Sequence, residues 1–452
     1  MEQGTGVEPA LTAWEAAVIP IYQPCERSYY SRRKGDLQPQ IRSQRGGGHD
    51  FSPPVIEMEP ENCVGRDFIM KKLRRAAHLL AAAALAVTLK PAAAGAADLP
   101  VTSRAALLME KTTGQVLFAQ NEHEALEPAS VTKVMTLLLT MEAIDSGTIA
   151  YDDVVTVSAY AAGMGGSQVF LAEGEQITVE ELLKAVCVAS GNDAAAALAE
   201  QVAGTAELFV EKMNRRAAEL GMNDTHFVNC TGLTAEGHVT SAYDIALMSR
   251  ELILHHPDIR RFTTIWMDTI RGGTFQLANT NKLIRFYDGA TGLKTGYTAS
   301  AGYCISATAE RDGMELIAVI MKAPDKDTRS SDAKALLSYG FAAYTLAPAA
   351  PEEPLPPVPV AMGTQDAVQP VLETPEATVL LEKAAAGGLT REVRLEPSVA
   401  APVTAGQVLG ELTLKSGGDT VLTVPLTAGE DVARRSWGQI FTSLLRLAVF
   451  AR

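Results

Sequence analysis

A long apolar segment that opens with Ser130 and Lys133 constrains the fold of this chain more than any other feature. Pro128 stands just before it, and because proline suits the first turn of a helix, we expect Ser130 near a helix N-terminus. The predicted helix, residues 131–144, is almost wholly apolar along its first turns, so the rest of the fold has to enclose it. Residues three apart share a helix face, which places the Lys133 amine beside the Ser130 hydroxyl.

A serine and a lysine in this arrangement can form a nucleophile and its base. A free serine is a poor nucleophile and needs a base beside it. Lysine serves as that base only if desolvation or a neighbouring cation lowers its pKa, and the apolar helix provides the desolvation. Lys294 is a candidate for the neighbouring cation. Backbone N–H groups at the helix N-terminus would face the developing negative charge.

A second short motif consists of Ser190, Gly191 and Asn192. It lies between two predicted helices, residues 179–189 and 193–203. At such a junction the Ser190 hydroxyl could relay a proton, and the Asn192 amide could hold a substrate peptide bond. Alone, the motif could equally be a turn between helices.

A third motif consists of Lys294, Thr295 and Gly296, inside the segment 289–297. A strand edge that carries lysine and threonine can bind a terminal carboxylate by charge and by a hydroxyl. Glycine lets a ligand approach the backbone closely. Each motif alone is weak, because helix caps, turns and solvated lysines are common. The three in this order are specific for the serine enzymes that include penicillin-binding proteins and class A β-lactamases.

The chain closely resembles low-molecular-mass penicillin-binding proteins, which are serine-type D-alanyl-D-alanine carboxypeptidases, in four segments: residues 127–136, 189–194, 232–244 and 279–296. The resemblance runs from about Ser103 to the C-terminus and does not cover residues 1–69. It implies an enzyme that removes the terminal D-alanine from peptidoglycan stem peptides ending in D-Ala-D-Ala. It further implies an acyl-enzyme intermediate, inhibition by β-lactams, and chemistry that needs no cofactor and no metal.

The resemblance also implies a role for each motif residue. Three would carry the chemistry: Ser130 as the acylated nucleophile, Lys133 as its base and Ser190 as a proton relay. Five would bind the substrate: Asn192 by its amide, Lys294 and Thr295 at the carboxylate, Gly296 by close backbone approach, and Tyr297 through its backbone N–H. The N–H groups of Ser130 and Tyr297 would form the oxyanion hole.

The pattern of elements predicts an α/β (α+β) catalytic domain over residues 98–347. Two β-hairpins are expected, at residues 105–110 with 115–118 and at 302–309 with 315–321. Helical patterns dominate the sequence between them, and residues 327–344 form a further amphipathic helix. This arrangement predicts an antiparallel sheet with an inserted helical region, as in the penicillin-binding and β-lactamase-like fold that the resemblance implies.

A composition break separates this domain from the rest of the chain. Five prolines fall within residues 348–358, which is typical of a stiff linker. Beyond it, short apolar runs at 378–381, 392–395 and 420–424 alternate with glycine and proline. They predict a small all-β domain over residues 348–430.

The last segment, residues 431–452, predicts a basic amphipathic helix. Apolar side chains recur at helical spacing from Trp437 to Ala448, while Arg435, Gln439 and Arg446 fall on the opposite side. Such a helix suits the surface of an anionic membrane. The alternative is a terminal helix that docks on its own domain.

The N-terminal region predicts export. Residues 70–97 read as a signal peptide: a basic start, a short apolar run over 78–89, and Ala94-Gly95-Ala96 as a cleavage site. The protein is therefore expected at the extracytoplasmic face of the bacterial cytoplasmic membrane. Residues 1–69 show no sustained periodicity, which indicates a disordered leader or a spurious extension before a true start at Met70. A genuine cytoplasmic leader is the alternative.

Charge and composition exclude several other functions. The net charge of −14 argues against a general nucleic-acid binder. Five cysteines form no CxxC pair, so neither a zinc site nor a disulfide framework is expected, and Cys187, Cys230 and Cys304 are interpreted as core residues. The seven histidines include no H-E-x-x-H motif. His238 is interpreted as a loop residue.

Two rival functions remain open. A class A-like β-lactamase shares all three motifs but uses a glutamate to hydrolyse its acyl-enzyme. The nearest candidate is Glu219, which we interpret instead as the end of a helix with Gly221 as its cap. The other rival is a non-catalytic scaffold that binds peptidoglycan, although every motif side chain is present.

Overall fold

Residues 99–450 are described by the computed structural model. The predicted leader, residues 1–69, and the predicted signal peptide, residues 70–97, lie outside the described residues. The strands of the first half are β1 (Ala105–Glu110), β2 (Val116–Gln120), β3 (Val154–Thr156), β4 (Gln176–Thr178), β5 (Met267–Ile270), β6 (Phe275–Ala278), β7 (Ala290–Thr298), β8 (Gly302–Arg311) and β9 (Met314–Ala323).

The second half contains shorter strands for the most part. They are β10 (Tyr344–Pro348), β11 (Val358–Ala361), β12 (Ala367–Val368), β13 (Pro370–Leu372), β14 (Thr378–Glu382), β15 (Thr390–Leu395), β16 (Val399–Ala400), β17 (Val408–Ser416) and β18 (Asp419–Ala428).

The helices are concentrated between β2 and β9. In chain order they are α1 (Lys133–Asp145), α2 (Ala159–Ala162), α3 (Val179–Lys184), α4 (Asn192–Ala203), α5 (Ala206–Glu219), α6 (Ala242–His255), α7 (Arg260–Thr263), α8 (Leu283–Phe286), α9 (Lys326–Ala343), α10 (Lys383–Ala386) and α11 (Trp437–Phe450). Short 3₁₀ segments precede α1 and α7, and a π-helical segment follows α3.

A five-stranded antiparallel sheet in the order β2-β1-β9-β8-β7 frames the first half of the described chain. Its central strands are buried on both faces, and alternate residues of β9 enter two different cores. Ile317 and Val319 face the core that contains α1, while Leu316 and Ala318 pack toward α9. The period of two in a strand explains this division. The strand β7 is left at the edge of the sheet.

The predicted hairpins and most predicted helices are present, with shifted boundaries. The segment predicted as one helix over 131–144 is a 3₁₀ turn, Ala129–Thr132, followed by α1. The helix predicted over 179–189 is α3 followed by the π-helical segment Ala185–Ala189. No bounds were predicted for the helix α6, which Ser241 caps by accepting a bond from the Asp244 N–H at 3.2 Å.

The second half consists of β-strands apart from the short helix α10 and its final helix, α11. It contains a four-stranded sheet, β13-β18-β17-β15, a three-stranded sheet, β12-β11-β16, and the antiparallel pair β10-β14. Strand β10 follows α9 directly and pairs with β14. No helix within residues 99–450 is long and apolar enough to cross a bilayer.

Candidate active site

The turn that carries Ser130 is clamped between two glycines from distant segments. A side-chain carbon on Gly232 would lie 1.9 Å from the Ala129 carbonyl oxygen. One on Gly296 would lie 2.7 Å from the Pro128 oxygen and 2.9 Å from the Ser130 nitrogen. Both contacts are too short for any other residue, so the backbone of one loop, at Gly232, and of strand β7, at Gly296, reaches this turn directly.

The 3₁₀ geometry of the turn aligns Ser130 with Lys133, because residues three apart eclipse each other in such a helix. The Lys133 Nζ lies 2.9 Å from the Ser130 Oγ, as the spacing predicted. It also donates to the Asn192 Oδ1 at 2.6 Å and to the Thr231 carbonyl at 2.7 Å. The lysine side chain is fully buried. Three segments far apart in the chain therefore meet at one amine.

The environment of Lys133 disfavours its charged form. Burial holds its pKa well below the usual range, and the positive charge of Lys294 lowers the pKa further. Cys230 and Asp193 act weakly in the opposite direction. Both causes that the sequence indicated, desolvation and a second lysine, are present in the structure.

Ser190 and Asn192 lie where α3 and its π-helical extension give way to α4. Ser190 adopts a left-handed conformation, with φ at 64°, and is buried. In the described part of the chain its hydroxyl makes no hydrogen bond to Lys133 or Lys294. Asn192 is anchored at both ends of its amide: the Oδ1 accepts from Lys133, and the Nδ2 donates to the Gly165 carbonyl at 2.6 Å.

Strand β7 brings the third motif to the same place. The Lys294 Nζ donates to the Thr295 carbonyl at 2.9 Å, and the Thr295 hydroxyl donates to the Thr280 hydroxyl at 2.8 Å. Tyr297 is 56% exposed, and its ring centroid lies 4.3 Å from that of Tyr303. Because β7 is an edge strand, its outer backbone edge is open to a ligand.

A second buried cation accompanies Lys294. Burial lowers the pKa of Lys294 to about 7, and Arg329 contributes to this shift by its charge. Arg329 on α9 is only 8% exposed, and its Nε has no hydrogen-bond partner within residues 99–450. Its guanidinium carbon lies 5.9 Å from the Tyr303 ring centroid. This pocket therefore concentrates positive charge, and neither cation forms an ion pair with a carboxylate of residues 99–450.

Sequence reasoning missed three contributors to this site. The Thr231 carbonyl has no side-chain signature, so no motif could indicate it. His238 was assigned correctly to a loop, but its burial and its bond to Thr132 were not foreseen. The burial of Arg329 could have been predicted from the sequence, because it lies on the same helix face as three apolar positions that are buried: Ala333, Leu336 and Gly340.

The site and fold match one enzyme family. The profile described as D-alanyl-D-alanine carboxypeptidase matches residues 91–325, which is more than half of the chain. The chain belongs to the D-alanyl-D-alanine carboxypeptidase family. The profile described as penicillin-binding protein 5, C-terminal domain, matches residues 348–434. The chain is accordingly a serine peptidase of this family, with the penicillin-binding fold, a C-terminal all-β domain and a terminal helix.

Relatives and solved structures agree with this assignment. The carboxypeptidase DacF of Bacillus subtilis (strain 168) is 41% identical over 341 residues, or 75% of this chain and 87% of the relative. Penicillin-binding protein 5 from Haemophilus influenzae has a TM-score of 0.67 at 29% identity, covering 75% of this chain and 100% of that one. Penicillin-binding protein D2 from Listeria monocytogenes, in its cefotaxime-bound form, has a TM-score of 0.51 at 32% identity, covering 54% and 99%.

Glu219, the candidate for the glutamate that a class A β-lactamase would need, does not contact this site. Glu219 ends α5, Gly221 follows with φ at 73°, and the Glu219 carboxylate pairs with Arg216 at 3.3 Å on the surface. This confirms the interpretation of Glu219 as a helix end. Within the described residues, no carboxylate is hydrogen-bonded to Ser130 or Lys133.

Proposed function

We propose that Ser130 is the acylated nucleophile of a carboxypeptidase that removes the last D-alanine from stem peptides ending in D-Ala-D-Ala. One observation carries this assignment. The Lys133 amine is fully buried, lies 2.9 Å from the Ser130 hydroxyl, and has its pKa lowered by burial and by Lys294. Such an amine is neutral often enough to accept the serine proton.

The contacts of Lys133 supply the geometry for that transfer. A neutral amine has two N–H groups and one lone pair. If its N–H groups are donated to Asn192 and Thr231, the lone pair is left pointing at the third neighbour, the Ser130 hydroxyl. Asn192 therefore has two proposed roles: it orients Lys133, and the second N–H of its Nδ2, beyond the one donated to Gly165, would hold the substrate peptide bond.

The substrate carboxylate would bind beside Lys294 and Thr295. Lys294 and Arg329 supply positive charge there, and the Thr295 hydroxyl supplies a donor. An anion would neutralise two cations that have no counter-ion among the described residues, which favours binding in a desolvated pocket. Tyr297 and Gly296 lie next along β7, so the scissile carbonyl would rest against the backbone at Ser130.

The reaction then follows from these positions. The Ser130 Oγ attacks the carbonyl carbon of the penultimate D-alanine while Lys133 takes its proton. The N–H groups of Ser130 and Tyr297 stabilise the oxyanion. Collapse of the tetrahedral intermediate breaks the C–N bond and expels D-alanine, whose amine takes up the proton held by Lys133, passed on through the Ser190 hydroxyl. Water then hydrolyses the ester, which releases the shortened peptide and restores the Ser130 hydroxyl.

The test compares the wild-type chain with Ser130→Ala and with Ser146→Ala, a hydroxyl removed at the far end of the same helix. D-Alanine release from diacetyl-Lys-D-Ala-D-Ala and the intact mass after penicillin treatment would be measured. We expect release and a stable adduct in the wild type and in Ser146→Ala, and neither in Ser130→Ala. An adduct on Ser130→Ala would refute the nucleophile assignment.

The same assay separates the rivals. Rapid penicillin turnover without D-alanine release would make the protein a β-lactamase, and absence of both activities would favour a scaffold. Inhibition by β-lactams is supported by the cefotaxime-bound form of the Listeria monocytogenes relative.

We further propose that the domains follow the predicted boundaries, with the catalytic domain at 98–347, the β domain at 348–430 and a membrane-surface helix at 431–452. The helix α11 supports the last part, because several of its large apolar side chains face solvent: Trp437 (87% exposed), Phe441, Leu444 and Leu445. Arg435 and Arg446 lie with the hydroxyls of its polar face, where they would meet anionic headgroups.

Binding to vesicles that contain phosphatidylglycerol tests the helix. We expect the wild-type chain to co-sediment with the vesicles and Leu444→Asp to remain largely in solution. Val408→Asp, which places the same charge at an exposed apolar position of the β domain, should bind like the wild type. Equal sedimentation of all three would contradict the membrane role.

Export to the extracytoplasmic face is proposed on the sequence of residues 70–97 alone. Mass spectrometry of the N-terminus of the protein from its source cell should find Ala97 or Asp98 at the start of the mature chain. A peptide from residues 1–69 would contradict the interpretation of that segment as a spurious extension.

A further inference from the structure

The loop that supplies the Thr231 carbonyl, residues 227–238, is closed at its base. His226 and Val239 pair there through two backbone hydrogen bonds of 2.9 and 3.1 Å. Inside the loop, the Asn229 Oδ1 accepts from the backbone N–H groups of Thr231 and Gly232 at 3.1 and 2.7 Å. The loop is therefore folded on itself, and what remains to be explained is how it is held against the catalytic helix.

Three contacts join this loop to one stretch of the nucleophile segment. The Thr231 carbonyl accepts from Lys133, and the Cys230 carbonyl accepts from the Thr136 hydroxyl at 2.6 Å. The third contact joins the His238 Nε2 to the Thr132 Oγ1 at 2.8 Å. Of these three hydrogen bonds, this is the one made by a loop side chain.

The partners of His238 determine its tautomer. The Val228 backbone N–H donates to the His238 Nδ1 at 3.0 Å, so that nitrogen carries a lone pair and not a proton. The proton of the neutral ring must then be on Nε2, which donates to the Thr132 hydroxyl oxygen. In a protonated ring Nδ1 would also carry a hydrogen, and its N–H would point at the Val228 backbone N–H instead of accepting from it. In agreement, burial lowers the pKa of His238 to about 4.

We propose that His238 is a positioning residue, which as a neutral imidazole locks the 227–238 loop onto Thr132 and thereby holds the Thr231 carbonyl on the Lys133 amine. This inference rests on the proposed function of Lys133 as the base. Without the hydrogen bond between His238 and Thr132, the Thr231 carbonyl can move away from Lys133, and the lone pair of the Lys133 amine is no longer confined to the direction of Ser130. The loss falls on the acylation step and not on the binding of the carboxylate, which depends on β7.

The expected effect on rate follows from geometry. A misplacement of about 1 Å at a reacting group lowers rates by about 10²-fold, and partial loss of one orienting contact should cost about 10- to 100-fold. The protonated amine has three N–H groups to satisfy and the neutral amine two, so loss of the Thr231 acceptor disfavours the protonated form more. The fall of the acylation rate at low pH, the acid limb of the pH–rate profile, reports protonation of Lys133 and should therefore move to lower pH.

Three titratable or charged groups face Lys133. Lys294 on β7 and Asp193 on α4 lie outside the loop and are left in place by a change at His238. Cys230 lies in the loop, but burial raises the pKa of its thiol to about 11, so it carries no charge over the acid limb wherever it moves. The only further titratable neighbour with an effect on His238 within the described chain is His226. A shift of the acid limb in a His238 variant would therefore report the Thr231 contact.

The experiment uses the full chain with four substitutions. His238→Phe removes both hydrogen bonds at similar volume, His238→Gln restores a donor toward Thr132, and Thr132→Val removes the acceptor. His256→Phe is the matched control: His256 is also buried and bonded to a side chain, Asp145, at 2.5 Å. The second-order rate of acylation by a fluorescent penicillin is measured across pH and divided by the fraction of molecules that form an adduct.

We expect His238→Phe and Thr132→Val to acylate about 10- to 100-fold more slowly per active molecule, with the acid limb displaced. A variant that combines His238→Phe with Thr132→Val should be no slower than the slower of these two single variants. His238→Gln should recover most of the wild-type rate. His256→Phe should lower the melting temperature and leave the rate per active molecule unchanged. A wild-type rate and pH profile in His238→Phe would overturn the inference.

Hydrogen exchange separates this inference from the proposed function. His238→Phe should lose amide protection at residues 228–233 whether or not the chain reacts with penicillin, and unchanged protection there would overturn the positioning role. A wild-type chain that takes up no penicillin would instead refute the nucleophile assignment.

Discussion

Replacing Asn192 by aspartate tests the proposed base without changing the size of any side chain. The Asn192 Oδ1 lies 2.6 Å from the Lys133 Nζ, and the substitution places a negative charge at that position. A carboxylate beside the amine favours the protonated form of Lys133, which cannot accept a proton from Ser130. Asn192→Asp should therefore be inactive at the pH where the wild type works and recover as the pH rises.

The size of the shift follows from the distance. In such a contact the centres of the carboxylate and ammonium charges lie about 4 Å apart, and two unit charges at that separation interact by about 4 kcal/mol at an effective dielectric constant of about 20. Each unit of pKa corresponds to about 1.4 kcal/mol, so the pKa of Lys133 should rise by about 3. The new carboxylate also faces the Gly165 carbonyl, which the Asn192 Nδ2 now contacts at 2.6 Å, and this repulsion reduces the shift to about 2.

The assay is the rate of acylation by penicillin between pH 5 and pH 10 for the wild type, Asn192→Asp and Gln120→Glu. The last variant makes the same amide-to-carboxylate change at β2, where Gln120 donates to the Ser103 carbonyl far from the site. We expect the acid limb to move up by about 2 to 3 units in Asn192→Asp alone. If Asn192→Asp lowers the acylation rate by the same factor at every pH and leaves the acid limb where it is in the wild type, Asn192 only binds substrate and Lys133 is not the titrating base.

Three further results are expected. Gly296→Ala, whose new side chain would lie 2.7 Å from the Pro128 oxygen, should displace the oxyanion site and slow acylation about 10²- to 10³-fold, measured with penicillin. Because the pKa of Lys294 is about 7, its amine loses the charge that would hold the substrate carboxylate as the pH rises through 7. The kcat/KM for D-Ala-D-Ala peptides should therefore fall over that range, and Lys294→Met should not show this fall. Folding lowers the pKa of His238 from 6.5 to about 4, so its contribution to the free energy of unfolding is present above pH 6.5 and is lost as the pH falls to 4. Urea unfolding of the wild type should show this loss, about 3 kcal/mol, and His238→Phe should lack it.

Much of the site could be predicted because its side chains are marked by local sequence. The spacing of Ser130 and Lys133 together with the apolar residues after them indicated a buried serine-lysine pair, and the 3₁₀ turn confirms the contact. The desolvation of Lys133 followed from the same apolar run. These inferences succeed because residues three apart on a helical turn meet whatever the rest of the fold does.

Other parts of the site left weak signals or none. Arg329 occupies the buried face of an amphipathic helix, and its charge at that position was open to detection. The Thr231 oxygen belongs to the backbone, so any residue type supplies it. His238 is one of several loop histidines, and its importance depends on Thr132 being 2.8 Å away across 106 positions of sequence.

By itself, the sequence determined the two hairpins, most of the helices between them, the chemical identity of the three motifs and the desolvation around Lys133, because these depend on residue type and on spacing within a few turns. Only the tertiary structure decided that Asn192, 59 positions from Lys133, and Thr231, 98 positions away, both accept bonds from one amine. Those distances depend on how closely segments pack, which here requires backbone contact at Gly232 and Gly296. Close packing is a property of complementary surfaces and not of any one segment, and for that reason it becomes visible only when the chain is folded.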